Sequence, residues 1–347
     1  MIKMKRQCTM RRTLKQHKYE EGRISELPEP ILHHILSFLP TKDATKTSTL
    51  SKSWNSTWKS FPILNFSLSD FLLSAICKNK NPKNLKKVVV QEFIKFVDDS
   101  INRRSVDTSI QKFDLQVDSK GFRVTTDDKN IKRWLDYAIN NNVQHLVLAY
   151  HYDGCRRYIL PPSLFGAKSL KNLELFGCQF IESGSIGFCL RKLSLVHVSI
   201  DQNTLQSVVS NSCCLLEELT MEHCKGFDVI KLSGLSKLDK AKLYLARDEV
   251  QIVAIEAPNL RCISYAGGFD SVRSSIVGSR YEKIKELVLH DTWITDDEFF
   301  RSVISSSDDH RFCLLEKMEL KRCNLFGSSI RICSNIRLLD LSISDCF

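Results

Sequence analysis

Leu170-Lys171-Asn172-Leu173-Glu174-Leu175-Phe176-Gly177-Cys178 decides the reading of this chain, because it recurs. Leu216-Glu217-Glu218-Leu219-Thr220-Met221-Glu222-His223-Cys224 and Leu315-Glu316-Lys317-Met318-Glu319-Leu320-Lys321-Arg322-Cys323 follow the same rule, and Leu190–Leu195, Ile284–Leu289 and Ile336–Leu341 repeat its first part. Weaker copies centre on Phe113/Leu115, Leu146/Leu148, Leu243/Leu245 and Ile263/Tyr265. Taking the first apolar residue of each central pair gives 113, 146, 173, 193, 219, 243, 263, 287, 318 and 339. Most steps between them fall within about 20–29 residues, the length of one recurring strand-bearing unit. The two longest steps have room for helices. One spans Asp127 to Asn140, with Ile131, Trp134, Leu135 and Ala138 on its apolar side. The other opens at the capping box Thr295-x-x-Glu298 and runs through Phe299, Phe300, Val303 and Ile304.

Alternating Leu-x-Leu is a short strand with one face buried. A single unit cannot bury its leucines alone, so neighbouring units stack and share one continuous core. The expected fold class is therefore α/β: about ten irregular leucine-rich repeats over residues 107–347, forming a curved solenoid with a parallel sheet on its concave side. Residues between and beside the leucines point into the concavity. The candidate target-binding positions are Glu174, Phe176, Ser194, Glu218, Thr220, Glu222, Tyr244, Ser264, Val288, His290, Glu319 and Lys321. Their charges are mixed, so neither an acidic nor a basic partner is favoured, and many such residues are simply solvated strand positions. Cys178, Cys224 and Cys323 each fall three residues after the last strand leucine, a register that reads as a small buried filler at the turn.

Working outward to the N-terminus, three short amphipathic elements occupy residues 23–66. In the first, Ile31, Leu32, Ile35, Leu36 and Leu39 recur at helical spacing. Pro30 suits a first helical turn and Pro40 stops the helix. Thr41 can cap a second helix through Ala44 to about Leu50, and a third places Trp54 and Trp58 on one face. About forty residues cannot bury this much apolar surface alone, and an exposed apolar patch marks an interface. Residues 67–106 read as a helical linker, with Val90, Phe93, Ile94, Val97 and Ile101 at helical spacing.

The first 23 residues hold eight basic and two acidic side chains, a net of +6, which leaves +4 of the total +10 for the other 324. The charge thus sits in a basic tail over residues 1–22, expected to be a solvated arm, with nuclear import as one role and nucleic acid as a poor fit. No apolar run is long enough to cross a bilayer, and no secretory signal follows the basic tail. The 13 cysteines are odd in number and scattered, which points to reduced thiols in the cytoplasm or nucleus. No C-x-x-C pair occurs, so a zinc-bound ring ligase is excluded, and neither a metal nor another cofactor is expected. The chain has no Gly-rich phosphate loop and no nucleophile elbow, so an enzyme is disfavoured.

The run Leu27-Pro28, Ile31-Leu32, Ile35-Leu36, Leu39-Pro40-Thr41-Lys42-Asp43-Ala44, Leu50-Ser51-Lys52-Ser53-Trp54 and Trp58 resembles a plant F-box. The stretches Ile131–Leu146, Leu160–Leu175 and Ala257-Pro258-Asn259-Leu260 extend the resemblance to the plant F-box/leucine-rich-repeat family. That resemblance implies a substrate-recognition subunit of an SCF-type ubiquitin ligase, whose F-box docks on a Skp-type adaptor hung from a cullin. On this reading Leu27, Pro28, Ile31, Leu32, Ile35, Leu50 and Trp54 face the adaptor or support the docking surface, and the repeats hold a target protein. The alternative is a repeat scaffold without a degradative role. Nothing matches the further C-terminal module that many relatives carry, so a shortened member with a frayed last repeat is expected.

Overall fold

The computed structural model describes residues 23–77, 82–105, 108–117, 126–150, 156–181, 186–212, 215–245, 252–267, 283–291, 293–294, 314–325 and 340–346. They form two compact units that divide between Phe61 and Pro62. The basic tail and the capping box at Thr295 lie outside the described residues.

The N-terminal unit holds a 3-10 turn (Arg23–Glu26) and helices α1 (Glu29–Ser37), α2 (Thr41–Thr47) and α3 (Lys52–Ser60). Pro28 and Pro40, not side-chain caps, precede α1 and α2. Thr41, expected as a cap, is instead the first residue of α2 and is buried. Proline can take that place because the first N–H groups of a helix have no partner to lose. Ser51 caps α3 by accepting from the Trp54 amide at 3.2 Å. Leu32, Leu36, Ala44, Trp54, Trp58 and Phe61 are buried.

The C-terminal unit is built on one eleven-stranded sheet, parallel throughout among its described pairings: β1 (Ile63–Ser67), β2 (Lys112–Gln116), β3 (His145–Ala149), β4 (Asn172–Phe176), β5 (Lys192–Val196), β6 (Glu218–Glu222), β7 (Lys240–Tyr244), β8 (Cys262–Ala266), β9 (Glu286–His290), β10 (Lys317–Lys321) and β11 (Asp340–Ser344). Strand order in the sheet is chain order, as a solenoid of stacked repeats requires. The second and fourth residues of most strands are buried and the first, third and fifth are not. Every pairing keeps this register: Leu146, Leu173, Leu193 and Leu219 lie side by side, as do Leu148, Leu175, Leu195 and Met221. Helices α4 (Leu68–Cys77), α5 (Pro82–Asn102), α6 (Asp128–Asn140) and α7 (Gln202–Ser212) fill the longer connections. Asp127 caps α6 through the Lys129 amide, and Asp98 of α5 ties to α6 by accepting from Arg133 at 2.9 Å and the Trp134 indole at 2.8 Å.

Three differences from the sequence expectation stand out, and the last two share one cause. Strand β1, with Leu64 and Phe66 buried, falls in the span read as F-box but pairs with β2, so the sheet has an eleventh strand. In β7 the inward pair is Ala241/Leu243 rather than Leu243/Leu245, and in β11 the pair in register with Met318 and Leu320 is Leu341/Ile343, both exposed, rather than Leu339/Leu341. Both runs extend the alternation past one strand's length, and choosing the largest residues shifts the register by two. Alternation has period two, so that shift leaves every outward position outward. With Ala241 in place, the steps 219 to 241 and 241 to 263 are equal.

The strands end in a repeated left-handed turn. The residue after β4, β5, β6, β9, β10 and β11 is Gly177, His197, His223, Asp291, Arg322 or Asp345, each with φ between 49° and 68°. Two residues after the strand comes Cys178, Cys224, Cys323 or Cys346. The first three are buried, as expected for fillers. The thiols also donate: Cys224 Sγ lies 3.5 Å from the Glu222 carbonyl and 3.3 Å from that of Leu195 in the preceding repeat, and Cys323 repeats the pattern on Lys321 and Leu289. Cys346, not expected in this role, makes the same bonds to Ser344 and Leu320. Each thiol thereby adds a second donor to a strand-end carbonyl that already accepts a backbone N–H from the neighbouring repeat, as Glu222 does from His197 at 2.8 Å.

Candidate functional sites

The first candidate surface is on α1. At 100° per residue, Ile31, Ile35 and Phe38 form one stripe, and Leu32 and Leu36 form the next. Only the second stripe is inside: Leu32 is 2% and Leu36 0% exposed, whereas Ile31 is 46% and Phe38 74% exposed. The rotation of α1 is fixed by its polar side. Glu29 accepts from Ser60 of α3, and His33 Nε2 lies 3.1 Å from Ser60 Oγ and 3.2 Å from the Thr57 carbonyl. The His34 ring packs edge-on against Phe38 at 4.8 Å, supporting the outer stripe.

Of the seven positions expected at a docking face, Pro28, Ile31 and Leu50 are exposed, Leu27 and Ile35 are half-buried, and Leu32 and Trp54 are buried. Leu32 and Trp54 can therefore support such a face but not form it. Ile24 and Phe38 are exposed apolar residues that the sequence reading did not select. Phe38 was within reach, because it continues the Ile31/Ile35 stripe by one further turn.

The second candidate surface is the outward face of the repeat sheet. All twelve expected target-facing residues occupy the first, third or fifth position of a strand. In-register stacking arranges these positions in rows, and the charged ones neutralise one another. Glu174 meets both His145 Nε2 and Lys192 Nζ at 3.1 Å, and Lys192 and Lys240 flank Glu218. The hydrogen bond from His145, joined by Lys192, holds the Glu174 carboxyl at about 2, against the opposing effect of burial.

Towards the C-terminal ends of the strands the surface changes character. The His197 and His223 rings stack at 5.0 Å and 12°, and Phe176 stands edge-on to His197 at 5.3 Å. Arg157 Nε donates to the His197 carbonyl at 3.1 Å. Glu222 is engaged by Lys242 at 2.6 Å, and Lys242 also lies 4.5 Å from the centre of the Tyr244 ring, which packs against His290 at 5.4 Å. Burial, then the neighbouring His223 and Arg157, keep the His197 imidazole less basic than usual, and burial does the same to His290. The sequence reading chose Phe176 and Tyr244 but not His197, His223 or Arg157, since nothing local announces that two turn residues 26 apart will stack.

Among the described residues, no group of three or more His, Cys, Asp or Glu is arranged to hold a metal ion, and no helix is long and apolar enough to cross a membrane. The buried cysteines are poor nucleophiles: desolvation raises the Cys178 thiol strongly and pushes the Cys224 thiol up to about 11.

Comparison with known proteins assigns both regions. The F-box domain profile matches residues 24–66, and the At1g61320/AtMIF1-type leucine-rich-repeat domain profile matches residues 101–278, half of the chain. An F-box/FBD/LRR-repeat protein of Arabidopsis thaliana, At1g78750, is 31% identical over 69% of this chain and 51% of its own length. A second Arabidopsis F-box/FBD/LRR-repeat protein, At5g56420, is 27% identical over 78% and 56%, and the Arabidopsis F-box/LRR-repeat protein At3g03360 is 30% identical over 69% and 46%. The chain spans about half the length of the curated relatives it matches.

Proposed function

The chain belongs to the F-box/leucine-rich-repeat family, and from that premise we propose that it is the substrate-recognition subunit of an SCF-type ubiquitin ligase. The outer stripe of α1 docks on a Skp-type adaptor and through it on a cullin, and the outward sheet face holds the protein to be ubiquitinated. The chain contributes no bond chemistry. It holds a target lysine near the charged ubiquitin carrier, which turns a rare encounter into a local one.

One observation carries the reading. Helix α1 is apolar on two adjacent stripes, and the chain buries only one of them, leaving Ile31 and Phe38 open with Pro28 and Leu50 also exposed. Exposed apolar side chains grouped in this way mark a protein contact. Among the described residues Ile31 is exposed and Leu27 and Ile35 are half-buried, which supports the docking reading.

The test uses the purified full chain and a purified Skp-type adaptor. The parent chain should form a stable complex, and Leu27→Asp with Ile31→Asp should abolish it without unfolding the chain. Undiminished complex formation by the double variant would overturn the docking assignment. A chain that binds the adaptor but whose loss leaves every captured target at its former level would support the scaffold alternative.

A further inference from the structure

Counting two residues past each strand from β4 to β11, the sequence reads Cys178, Val198, Cys224, Ala246, Gly268, Thr292, Cys323 and Cys346. Only the last step sets cysteine beside cysteine. A thiol in this register needs no thiol neighbour to fill its space or to donate. Cys224 does both beside Val198, whose repeat bridges to its own at Ser199 and Lys225. The pairing of Cys323 with Cys346 therefore does not follow from the turn.

The register brings the two residues within crosslinking reach. Lys321 of β10 pairs with Ser344 of β11, and the cysteines stand two residues beyond that pair. Neighbouring strands lie about 4.8 Å apart, inside the roughly 4.4–6.8 Å between Cα atoms that a disulfide spans. Contact is already made, because Cys346 Sγ accepts from the Cys323 backbone N–H at 3.4 Å. Both sulfurs now face the preceding repeat, Cys323 Sγ at 3.4 Å from the Leu289 carbonyl and Cys346 Sγ at 3.6 Å from that of Leu320. Rotation about the Cys323 Cα–Cβ bond turns its sulfur towards Cys346. The half-buried Cys346 is the thiol a reagent meets first, and the buried Cys323 lies behind it. A tether would also act where the wall is least held by burial. Leu341 and Ile343 of β11 are 37% and 47% exposed, against 3% and 0% for Met318 and Leu320 of β10.

We propose that Cys323 and Cys346 are an oxidative modification site, whose disulfide pins β11 to β10. The Cys346 thiolate attacks one sulfur of a low-molecular-weight disulfide such as oxidised glutathione. A mixed disulfide forms, and one glutathione thiolate leaves. The Cys323 thiolate then attacks the Cys346 sulfur, forming the crosslink and expelling the second glutathione thiolate. The two cysteines lose two protons and two electrons, and one oxidised glutathione becomes two reduced ones. The crosslink closes the loop from Cys323 to Cys346 and so restricts the unfolded states of the last repeat. Oxidised, the outward wall ends in a tied strand; reduced, it ends in a strand held by backbone bonds and little burial.

The experiment equilibrates the full chain in buffers of increasing oxidised-to-reduced glutathione ratio, quenches the thiols and maps the disulfides by mass spectrometry of a non-reduced digest. A peptide linking Cys323 to Cys346 should appear and should vanish on return to reduced glutathione. In Cys323→Ala, Cys346 should stop at the mixed disulfide, and Cys346→Ser should form neither product at that position. Hydrogen exchange on the same parent samples should slow by about tenfold or more at residues 340–344 on oxidation, since a tether raises the cost of opening the strand. Cys346→Ser should exchange alike in both buffers. A parent chain that halts at the mixed disulfide, one that links Cys346 mainly to another cysteine, or one whose exchange at 340–344 is unchanged by oxidation would overturn the proposal. These parent readouts stand whether or not either variant folds.

Discussion

Ile31 and Leu32 are neighbours in sequence with opposite fates, and together they separate docking from folding. Ile31 is 46% exposed and Leu32 is 2% exposed. Fully burying such a side chain contributes about 1.5–3 kcal/mol, so covering the open half of Ile31 contributes about 1 kcal/mol. Ile31→Ala should therefore weaken adaptor binding about fivefold. Ile31→Asp adds an unpaired carboxylate to a dry contact, which costs several kcal/mol more, so binding should fall by more than about 100-fold. Neither change should alter stability of the free chain by more than about 0.5 kcal/mol, because Ile31 lies on the exposed side of α1 among the described residues. Leu32→Ala should behave in reverse. It opens a cavity in a small core at about 2–5 kcal/mol, enough to melt the N-terminal unit. Calorimetric titration against the adaptor reads the first effect, and thermal unfolding followed by fluorescence of the buried Trp54 and Trp58 reads the second. An Ile31→Asp chain that unfolds, or that binds like the parent, would refute the reasoning.

The Glu174 carboxyl is held at about 2 in the folded chain, below its ordinary value, so its contribution is present above about pH 4.5 and lost as pH falls towards 2. Half-exposed ion pairs are screened, so Glu174→Gln should cost at most about 1 kcal/mol at pH 7; urea melts across pH should show that gap closing in acid, and a constant gap down to pH 2 would contradict it. Gly226 has φ of 102°, and an added Cβ would lie 2.7 Å from the Ile200 carbonyl oxygen. Gly226→Ala should therefore lower stability by about 1–2 kcal/mol or more, and an unchanged denaturation midpoint would refute the strain. Cys77 and Cys189 are exposed whereas Cys178, Cys224 and Cys323 are buried. Mass mapping after brief alkylation at pH 8 should find the first two modified well before the other three, and early modification of Cys224 would contradict its burial and raised thiol.

The repeat architecture was legible because a strand that buries one face must alternate, and a stack of such strands must recur. Even the two register errors, at Leu243 and Leu339, left Tyr244 and its outward neighbours on the right face. Strand β1 was not legible: Leu64 and Phe66 alternate, but they follow the F-box pattern with no leading leucine and no turn cysteine. The short parallel pairs outside the sheet, such as Tyr158–Ile159 with Cys178–Gln179, are too brief to show any period. On the docking side the sequence named the apolar residues of α1 but could not divide them. The partition between Leu32/Leu36 and Ile31/Phe38 is set by how α1 rolls onto α3, which depends on Glu29, His33 and Ser60 meeting across 27 and 31 residues. The histidine stack is tertiary in the same sense.

The unbroken register of the sheet also makes its outward face a ruler. Neighbouring strands lie about 4.8 Å apart, and an extended peptide advances about 3.3 Å per residue, so three residues of a peptide laid across the strands nearly match two strand spacings. A linear segment crossing this wall would thus come back into phase at every third residue, meeting equivalent positions on alternate repeats. Insertions that lengthen a repeat leave the graduations unchanged, because each strand is pinned to its neighbour and the extra residues are carried elsewhere, as α6 is between β2 and β3.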